Sequence, residues 1–384
     1  MKSDQHPIRI LHVITGLQLN GAENFLQRLV QGMSNRRFCQ AVVSLTDLGP
    51  VGERLSTSGT SVEALRMRSG LSGLAGIINL RRAIQQRNPH IVQTWMYHAD
   101  LLGGLAARGA SSRRVIWNVR QSALHPTKSK LSTRAVARAC GLVSNVLPHR
   151  IIYNSYAALP VHRSIGYSST RFDVIVNGVD CKLFSPDERL RHRVRQELGI
   201  PKNAKVVGLV ARYDPQKDHP TFLKACSKLL SQEPLLHFIL CGSGISWKNR
   251  ELSGLVKLTG HESQFKLLER RQDMERITAA LDLAVSSSLY GEGTSNAILE
   301  ALACGVPVVA TDVGDSARVT GNAGASVPPG NSEELAEAIL RILHQSAANP
   351  SLRQAARNRA LQNYSMKNAI LSYEIIYEAE VART

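Results

Sequence analysis

Five side chains of this sequence stand where strand ends and helix starts would place chemistry: His98, Arg212, Lys217, Glu292 and Glu300. The richest stretch is SSSLYGEGTSNAILEALACGVPVVATDVGD, residues 286–315. There a strand runs into a Ser/Gly-rich loop, and a helix opens at about residues 294–296. Free N–H groups at a helix start attract anions, which suits a diphosphate, and Thr294, Ser295 and Asn296 are small polar residues able to cap that start. Glu292 lies just ahead of the helix and Glu300 nearly two turns into it. At ~1.5 Å per residue, their spacing spans about 12 Å. The two carboxylates therefore cannot share one proton or one metal, but they can grip opposite ends of an extended ligand. The plainer alternative makes Glu292 a capping charge and Glu300 a solvated helix residue.

In VGLVARYDPQKDHPTFLKA (207–225), Arg212 is expected to end a strand and Lys217 to follow on the loop before a helix at Pro220. Two cations at a strand edge can neutralise a departing diphosphate. Taken singly they would be surface charges; beside the 286–315 stretch they become ligand-binding candidates. His98, in Trp95-Met96-Tyr97-His98-Ala99-Asp100, follows a strand directly, which puts a titratable ring at a sheet edge. Asp100 is placed to cap the helix after it.

The elements that must position these residues alternate. IRILHVIT (8–15), QAVVSLT (40–46), IVQTW (91–95), RVIWNVR (114–120), RIIYNS (150–155) and FDVIVNG (172–178) read as strands, with helices over 22–33, 76–87 and 101–108. After a linker near residues 180–200, which holds a charged helix over 188–198, the alternation resumes. Its strands are 205–212, 236–242, 265–269, 281–288 and 306–312, and its helices 220–230, 274–280, 295–303 and 333–344. Short apolar strands alternating with helices predict parallel sheets covered on both faces. The 384 residues divide into two doubly wound α/β domains, 1–185 and 186–365, with a terminal helix over 366–384 expected to return to the first. Two such domains facing one another would make a cleft where donor and acceptor meet.

Several function classes lose their support. Gly16 and Gly21 do not make a GxGxxG, no Walker A motif occurs, and Cys241-Gly242-Ser243-Gly244 alone is a weak phosphate signature. Six cysteines stand singly with no CxxC, against structural zinc or a disulfide framework and in keeping with a reducing cytosol. Nothing approaches the ~18 consecutive apolar residues of a membrane span. The N-terminal segment reads as a first strand rather than a signal peptide.

Charge is lopsided. Of 47 Lys+Arg and 30 Asp+Glu, residues 1–185 hold 23 and 8, a balance of +15, leaving +2 for the rest. Between Asp100 and Asp173 there are 11 basic residues and no acid, including Arg113, Arg114, Arg120, Lys128, Lys130, Arg134 and Arg138. Such a stretch attracts polyanions: nucleic acid, anionic headgroups or phosphorylated substrates. An aromatic content of 5% without a stacking-rich basic run argues against nucleic acid.

With these residues in view, the chain resembles the retaining glycosyltransferases of family 4, with the two-domain GT-B fold. The resemblance rests on NGAEN (20–24), QTWMYHADLLGGLAAR (93–108), VIVNGVDCKLFSP (174–186), the Arg212/Lys217 segment and EGTSNAILEALACGVPVVATDVG (292–314). It implies sugar transfer from a nucleotide-sugar donor with retention of configuration and no cofactor or bound metal; the chain has no Asp-x-Asp. It maps Arg212 and Lys217 onto the donor diphosphate and Glu300 onto the ribose. Glu292 and the amides of Gly293, Thr294, Ser295 and Asn296 fall to the sugar and phosphate. His98 falls near the transferred sugar, and Gly21 near the donor phosphates and acceptor. Glu269 stands where many relatives have Gly, Thr294 where they have a bulky residue, and the 288–291 loop is one residue longer. Donor base and sugar thus stay open among UDP and GDP, glucose, mannose and N-acetyl sugars.

The expected function is a cytoplasmic glycosyltransferase, peripheral at the inner face of the cell membrane, building surface polysaccharide or glycolipid. Its acceptor would be a glycan or lipid-linked, and the acid-free stretch 101–172 a docking face for an anionic membrane. Alternatives on the same fold are a sugar-nucleotide hydrolase or epimerase and a glycan phosphorylase. Outside it stands a non-catalytic polyanion-binding protein.

Overall fold

The computed structural model describes residues 7–67, 72–110, 114–122, 124 and 130–383, the side chains of 72–75 excepted. The chain divides into two compact units, Met1–Asn177 with Met366–Thr384, and Gly178–Ser365.

The first unit holds β1 (Ile8–Ile14), β2 (Phe38–Ser44), β3 (Ser61–Ala64), β4 (Ile91–Trp95), β5 (Arg114–Val119), β6 (Arg150–Tyr153) and β7 (Phe172–Val174). They form one seven-stranded sheet in the order β3-β2-β1-β4-β5-β6-β7, every neighbouring pair parallel. Its helices are α1 (Gly21–Gly32), α2 (Gly49–Thr57), α3 (Ser72–Arg87), α4 (Tyr97–Arg108), α5 (Leu131–Val143) and α6 (Ala158–Arg163). Alternate β1 residues feed two cores: Leu11 and Val13 join a cluster with residues of α3, α4 and α5, while Ile10 and Ile14 join one with α1 and α2. A strand buried on both faces reads as a continuous apolar run, which is why β1 was legible.

The second unit holds α7 (Glu188–Glu197), then β8 (Val206–Val210), β9 (His237–Cys241), β10 (Phe265–Leu268), β11 (Leu283–Ser286), β12 (Val308–Thr311) and β13 (Gly324–Val327). The sheet order is β10-β9-β8-β11-β12-β13, again parallel throughout. Around it run α8 (His219–Gln232), α9 (Arg250–Lys257), α10 (Met274–Ala279), α11 (Asn296–Ala303), α12 (Ser316–Thr320), α13 (Ser332–Ala348) and α14 (Ser351–Asn363). Phe238 stacks on Phe265 at 4.8 Å and meets Phe222 edge-on at 6.2 Å, the geometry aromatic quadrupoles favour. One turn apart on α7, Arg191 and Arg195 donate to Asp282 at 2.6 and 2.7 Å, fixing the entry to β11.

The last helix, α15 (Met366–Val381), belongs to the first unit, as the sequence led us to expect. Tyr373 and Tyr377 are buried in the core with Phe25 and Trp95. Asn118 donates to the Tyr373 hydroxyl at 2.7 Å. Gly32 leaves the space that Ile370 fills, so α1 and α15 approach closely.

Both sheets reverse direction once, between β1 and β4 in the first unit and between β8 and β11 in the second. Outside the carboxyl ends of the strands at such a switch point, the connecting loops part and leave a crevice for ligand.

Candidate active site

In the second unit the loops after β8 and β11 carry Arg212, Lys217 and Glu292, and Glu300 follows on α11. After β8 the chain makes a short turn over Pro215–Lys217, held because the Asp214 carboxylate accepts from the Gln216 N–H at 2.9 Å. Asp218 follows in the left-handed region at φ 47° and caps α8 by accepting from the Thr221 N–H at 3.2 Å. Two capped turns in succession thus fix where Lys217 points. Arg212 lies two residues beyond β8 rather than at its end, since the strand stops at Val210. Its guanidinium donates to Asp214 at 3.2 Å and to Gln216 at 3.0 Å. Burial works against ionisation of Asp214, but the Gln216 N–H, Arg212 and Lys217 outweigh it and hold the carboxyl below its ordinary value.

Lys217 forms an ion pair with Glu292, whose same oxygen, Oε1, accepts from the Ser288 hydroxyl at 2.6 Å. Ser287 closes the other side by donating to the Lys217 carbonyl at 2.7 Å. The Ser288 carbonyl in turn accepts from Thr311 at 2.6 Å, linking the loop after β11 to β12. Glu292 is only 8% exposed. Burying such an ion pair is tolerated only where hydrogen bonds satisfy the rest of it, and Ser288 supplies one. Gly314, at φ +64°, packs against the Glu292 backbone where a side chain would collide.

Past Glu292 and Gly293, Thr294 is buried, Ser295 is the N-cap of α11 and Asn296 is its first residue, exposed. Ser295 makes no side-chain capping bond. The cap expected of Ser295 is therefore not made at this helix start. A narrow pocket lies behind it, lined by Lys217, Ser286, Ser287, Ser288 and Ser295 on its polar side and by Val285, Ile298 and Ala301 on its apolar side. Glu300, one turn into α11, is half-buried.

In the first unit, Gly21 and His98 flank the other switch point. Gly21 opens α1, and nothing lies within 4 Å of where its side chain would be, so the helix start faces open space. His98 is the second residue of α4, which begins at Tyr97, four residues earlier than expected. Met96, between β4 and α4, sits at φ 73°, a conformation unusual for a side-chain-bearing residue. Burial lowers the pKa of the half-buried His98, favouring the neutral ring. Tyr97 anchors the turn from below: its hydroxyl bonds His162 Nε2 at 2.7 Å, while His162 Nδ1 bonds the Ala158 carbonyl at 2.7 Å. Asp100 is not a cap. It is buried within α4 and accepts from the Thr94 hydroxyl at 2.5 Å, and burial raises its pKa well above the ordinary value.

Sequence reasoning missed Ser287, Ser288, Gln216 and Gly314. The triple serine 286–288 was visible, but its pairing with Lys217 depends on β8 and β11 being neighbours. Among the described residues no group of three His, Cys, Asp or Glu could hold a metal ion, and no helix is long and apolar enough to cross a membrane.

Comparison with known proteins bears on the family and the fold. Residues 204–345 match the family described as glycosyl transferases group 1, and residues 19–183 match glycosyltransferase family 4, together most of the chain. A D-inositol 3-phosphate glycosyltransferase of Corynebacterium aurimucosum is 30% identical over 213 residues, covering 53% of this chain and 50% of that protein. The chain thus matches half the length of that relative. The Escherichia coli UDP-Gal:alpha-D-GlcNAc-diphosphoundecaprenol alpha-1,3-galactosyltransferase is 24% identical over 387 residues, 98% of each chain. Among solved structures, HepE from Anabaena in complex with UDP superimposes with a TM-score of 0.85 at 23% identity, over 97% of this chain and 100% of that one. Sucrose-phosphate synthase from Thermosynechococcus elongatus gives 0.77 at 17% identity, over 98% and 100%. At those identities the likeness is one of fold. With paired parallel sheets and both family matches in register along it, this chain belongs to glycosyltransferase family 4 and has the GT-B fold.

Proposed function

We propose that this protein transfers a sugar from a UDP-sugar to a lipid-linked acceptor at an anionic membrane surface, with retention of configuration. The observation that carries the reading is the Lys217–Glu292–Ser288 cluster at the switch point of the second sheet, with Arg212 on the neighbouring turn and the start of α11 beside it. UDP as the nucleotide is supported by the names of the Escherichia coli galactosyltransferase and of the HepE complexes with UDP and UDP-glucose. A lipid diphosphate acceptor is supported by the first of these names.

On this reading the second unit holds the donor. Lys217 and Arg212 neutralise charge that builds on the departing diphosphate, most strongly in the transition state, where fixed cations lower the barrier most. The N–H groups of Gly293–Asn296 add the positive end of α11. Glu292, held by Lys217 and Ser288, accepts from sugar hydroxyls, and Glu300 from the ribose. The acceptor hydroxyl attacks on the face the diphosphate leaves, and a diphosphate oxygen takes its proton. No side chain then has to act as nucleophile; the protein supplies position and charge. In the first unit, neutral His98 serves the transferred sugar as a hydrogen-bonding ring, and the open helix start at Gly21 serves phosphate.

Calorimetric titration with UDP and with GDP tests the donor assignment. UDP is expected to bind wild type and to lose at least tenfold in affinity to Lys217→Ala, while GDP binds weakly or not at all. Equal affinity of the variant and wild type for UDP would contradict it.

A further inference from the structure

The acid-free stretch does not form one basic face. Arg114 bonds the Glu380 carbonyl at 3.1 Å, Arg150 pairs with Asp173, and Arg120 lies over the Phe25 ring at 4.2 Å and donates to Asn177 at 2.7 Å. Arg113 and Lys128 lie outside the described residues. Of the remaining exposed cations, Arg163 and Arg171 lie elsewhere, while Arg108, Lys130 and Arg138 lie on or beside α4 and α5, whose surface is not only basic.

α5 buries Ala137, Cys140 and Gly141 toward the first unit's core. On its opposite side Leu131, Ala135, Arg138 and Leu142 recur at helical spacing, and Val146 continues the stripe. A surface helix ordinarily turns a polar side outward. Here Leu131 is 79% exposed, Leu142 82% and Val146 61%. α5 packs on α4, and α4 on α3, which add exposed Leu105 and Ile78. The same helices, with Lys130 at the N-cap of α5, carry exposed Arg138, Arg108, Arg81 and Arg82, and Arg108 donates to the Val146 carbonyl. Asp100, which is buried, is the single acidic residue of the three helices. Arg87, at the end of α3, is neutralised by Glu63 at 2.7 Å.

We infer that the outward face of α3, α4 and α5 is the surface by which this protein docks on an anionic lipid bilayer, an inference that rests on the lipid-linked acceptor proposed above. Aliphatic side chains enter the boundary between headgroups and acyl chains, and the surrounding guanidinium and ammonium groups meet lipid phosphates. Both components are needed, since exposed leucines on this scale mark an interaction surface and the cations select its charge. A second copy of the chain fits less well: a two-fold contact through this face would set the same cations against each other. Nucleic acid fits less well too, because its phosphates would leave the leucines without apolar contact.

The test is co-sedimentation of the full-length protein with vesicles of pure phosphatidylcholine and of phosphatidylcholine with a third phosphatidylglycerol. Wild type is expected to bind the anionic vesicles and to remain in solution with the neutral ones. Arg138→Gln should weaken binding about fivefold, the effect of one cation at a charged membrane surface. Leu142→Asp should weaken it at least tenfold, as should Leu131→Asp, a second variant at the far end of the helix. All three should keep wild-type melting temperature and UDP affinity, so a failure of the docking face is distinguished from a failure of the donor site. Binding that ignores vesicle charge, unchanged binding by all three variants, or a dimer in sedimentation velocity that Leu142→Asp dissociates would each overturn the inference.

Discussion

The Lys217 ammonium binds the same Glu292 oxygen to which the Ser288 hydroxyl donates. The cation expected to neutralise the donor diphosphate is thus already paired, 75 residues away in sequence, with a carboxylate expected to hold the sugar. Removing one partner of a buried ion pair leaves the other charge uncompensated, which costs more than the pair itself contributes.

Lys217→Ala should therefore lower both activity and stability, and the two effects can be separated. Denaturant unfolding should show a loss of about 3 kcal/mol, discounted from the fully buried case because Lys217 keeps some exposure. Adding Glu292→Gln to that variant should restore a large part of the stability. Turnover should stay at least ~100-fold below wild type in both, as for loss of one fixed transition-state charge.

Gly314→Ala tests the backbone beneath the site. A side chain at φ +64° must either collide with the Glu292 backbone or move it. The expected result is a loss of about 2 kcal/mol in stability, together with weaker UDP-sugar binding. A variant with unchanged stability would mean that the loop relaxes without consequence.

Glu300→Ala is expected to act differently, because Glu300 is half-buried on α11 whereas Glu292 is buried. Its melting temperature should stay near wild type while KM for the donor rises about tenfold, the value of a charge-assisted hydrogen bond. A fall in kcat at constant KM would assign Glu300 to the chemical step instead.

Acid sensitivity follows from histidines buried in neutral form. His12 accepts from the Trp95 indole at 3.3 Å and bonds Gln40 at 3.1 Å, and burial, only partly offset by the Gln40 bond, lowers its pKa to about 4 from 6.5. The unfolded chain binds a proton at this residue below pH 6.5 and the folded one does not. The stability linked to His12 is complete above that pH and lost as pH falls toward about 4, at about 1.4 kcal/mol per pH unit. Unfolding of His12→Gln measured across this window should be flatter than wild type by that slope. Parallel curves would contradict it.

How much of this was legible depends on burial. Strands covered on both faces, such as β4 at Ile91–Trp95, were read to the residue because every position is apolar or packed. The edge strand β3, with sequence SVEA, and β13, which begins at Gly324, carry too little apolar signal. α14 buries only Ala356 and Ala360 in a run of Arg, Gln and Asn, so no amphipathic pattern announces it. α5 was missed because its leucines face outward and break the expected periodicity. At the site, the candidate residues were singled out by type and spacing. Their partners were not, since Lys217 meets Glu292 and Ser287 only through the adjacency of β8 and β11.

The measurement that bears most directly on the central claim is product analysis by NMR. Wild-type protein is incubated with UDP-galactose or UDP-glucose and a short-chain lipid diphosphate N-acetylglucosamine acceptor. The account predicts acceptor-dependent release of UDP and a new α-linked sugar, the donor's own configuration, with Lys217→Ala forming at least ~100-fold less. A β-linked product, or free sugar released at the same rate without acceptor, would contradict it.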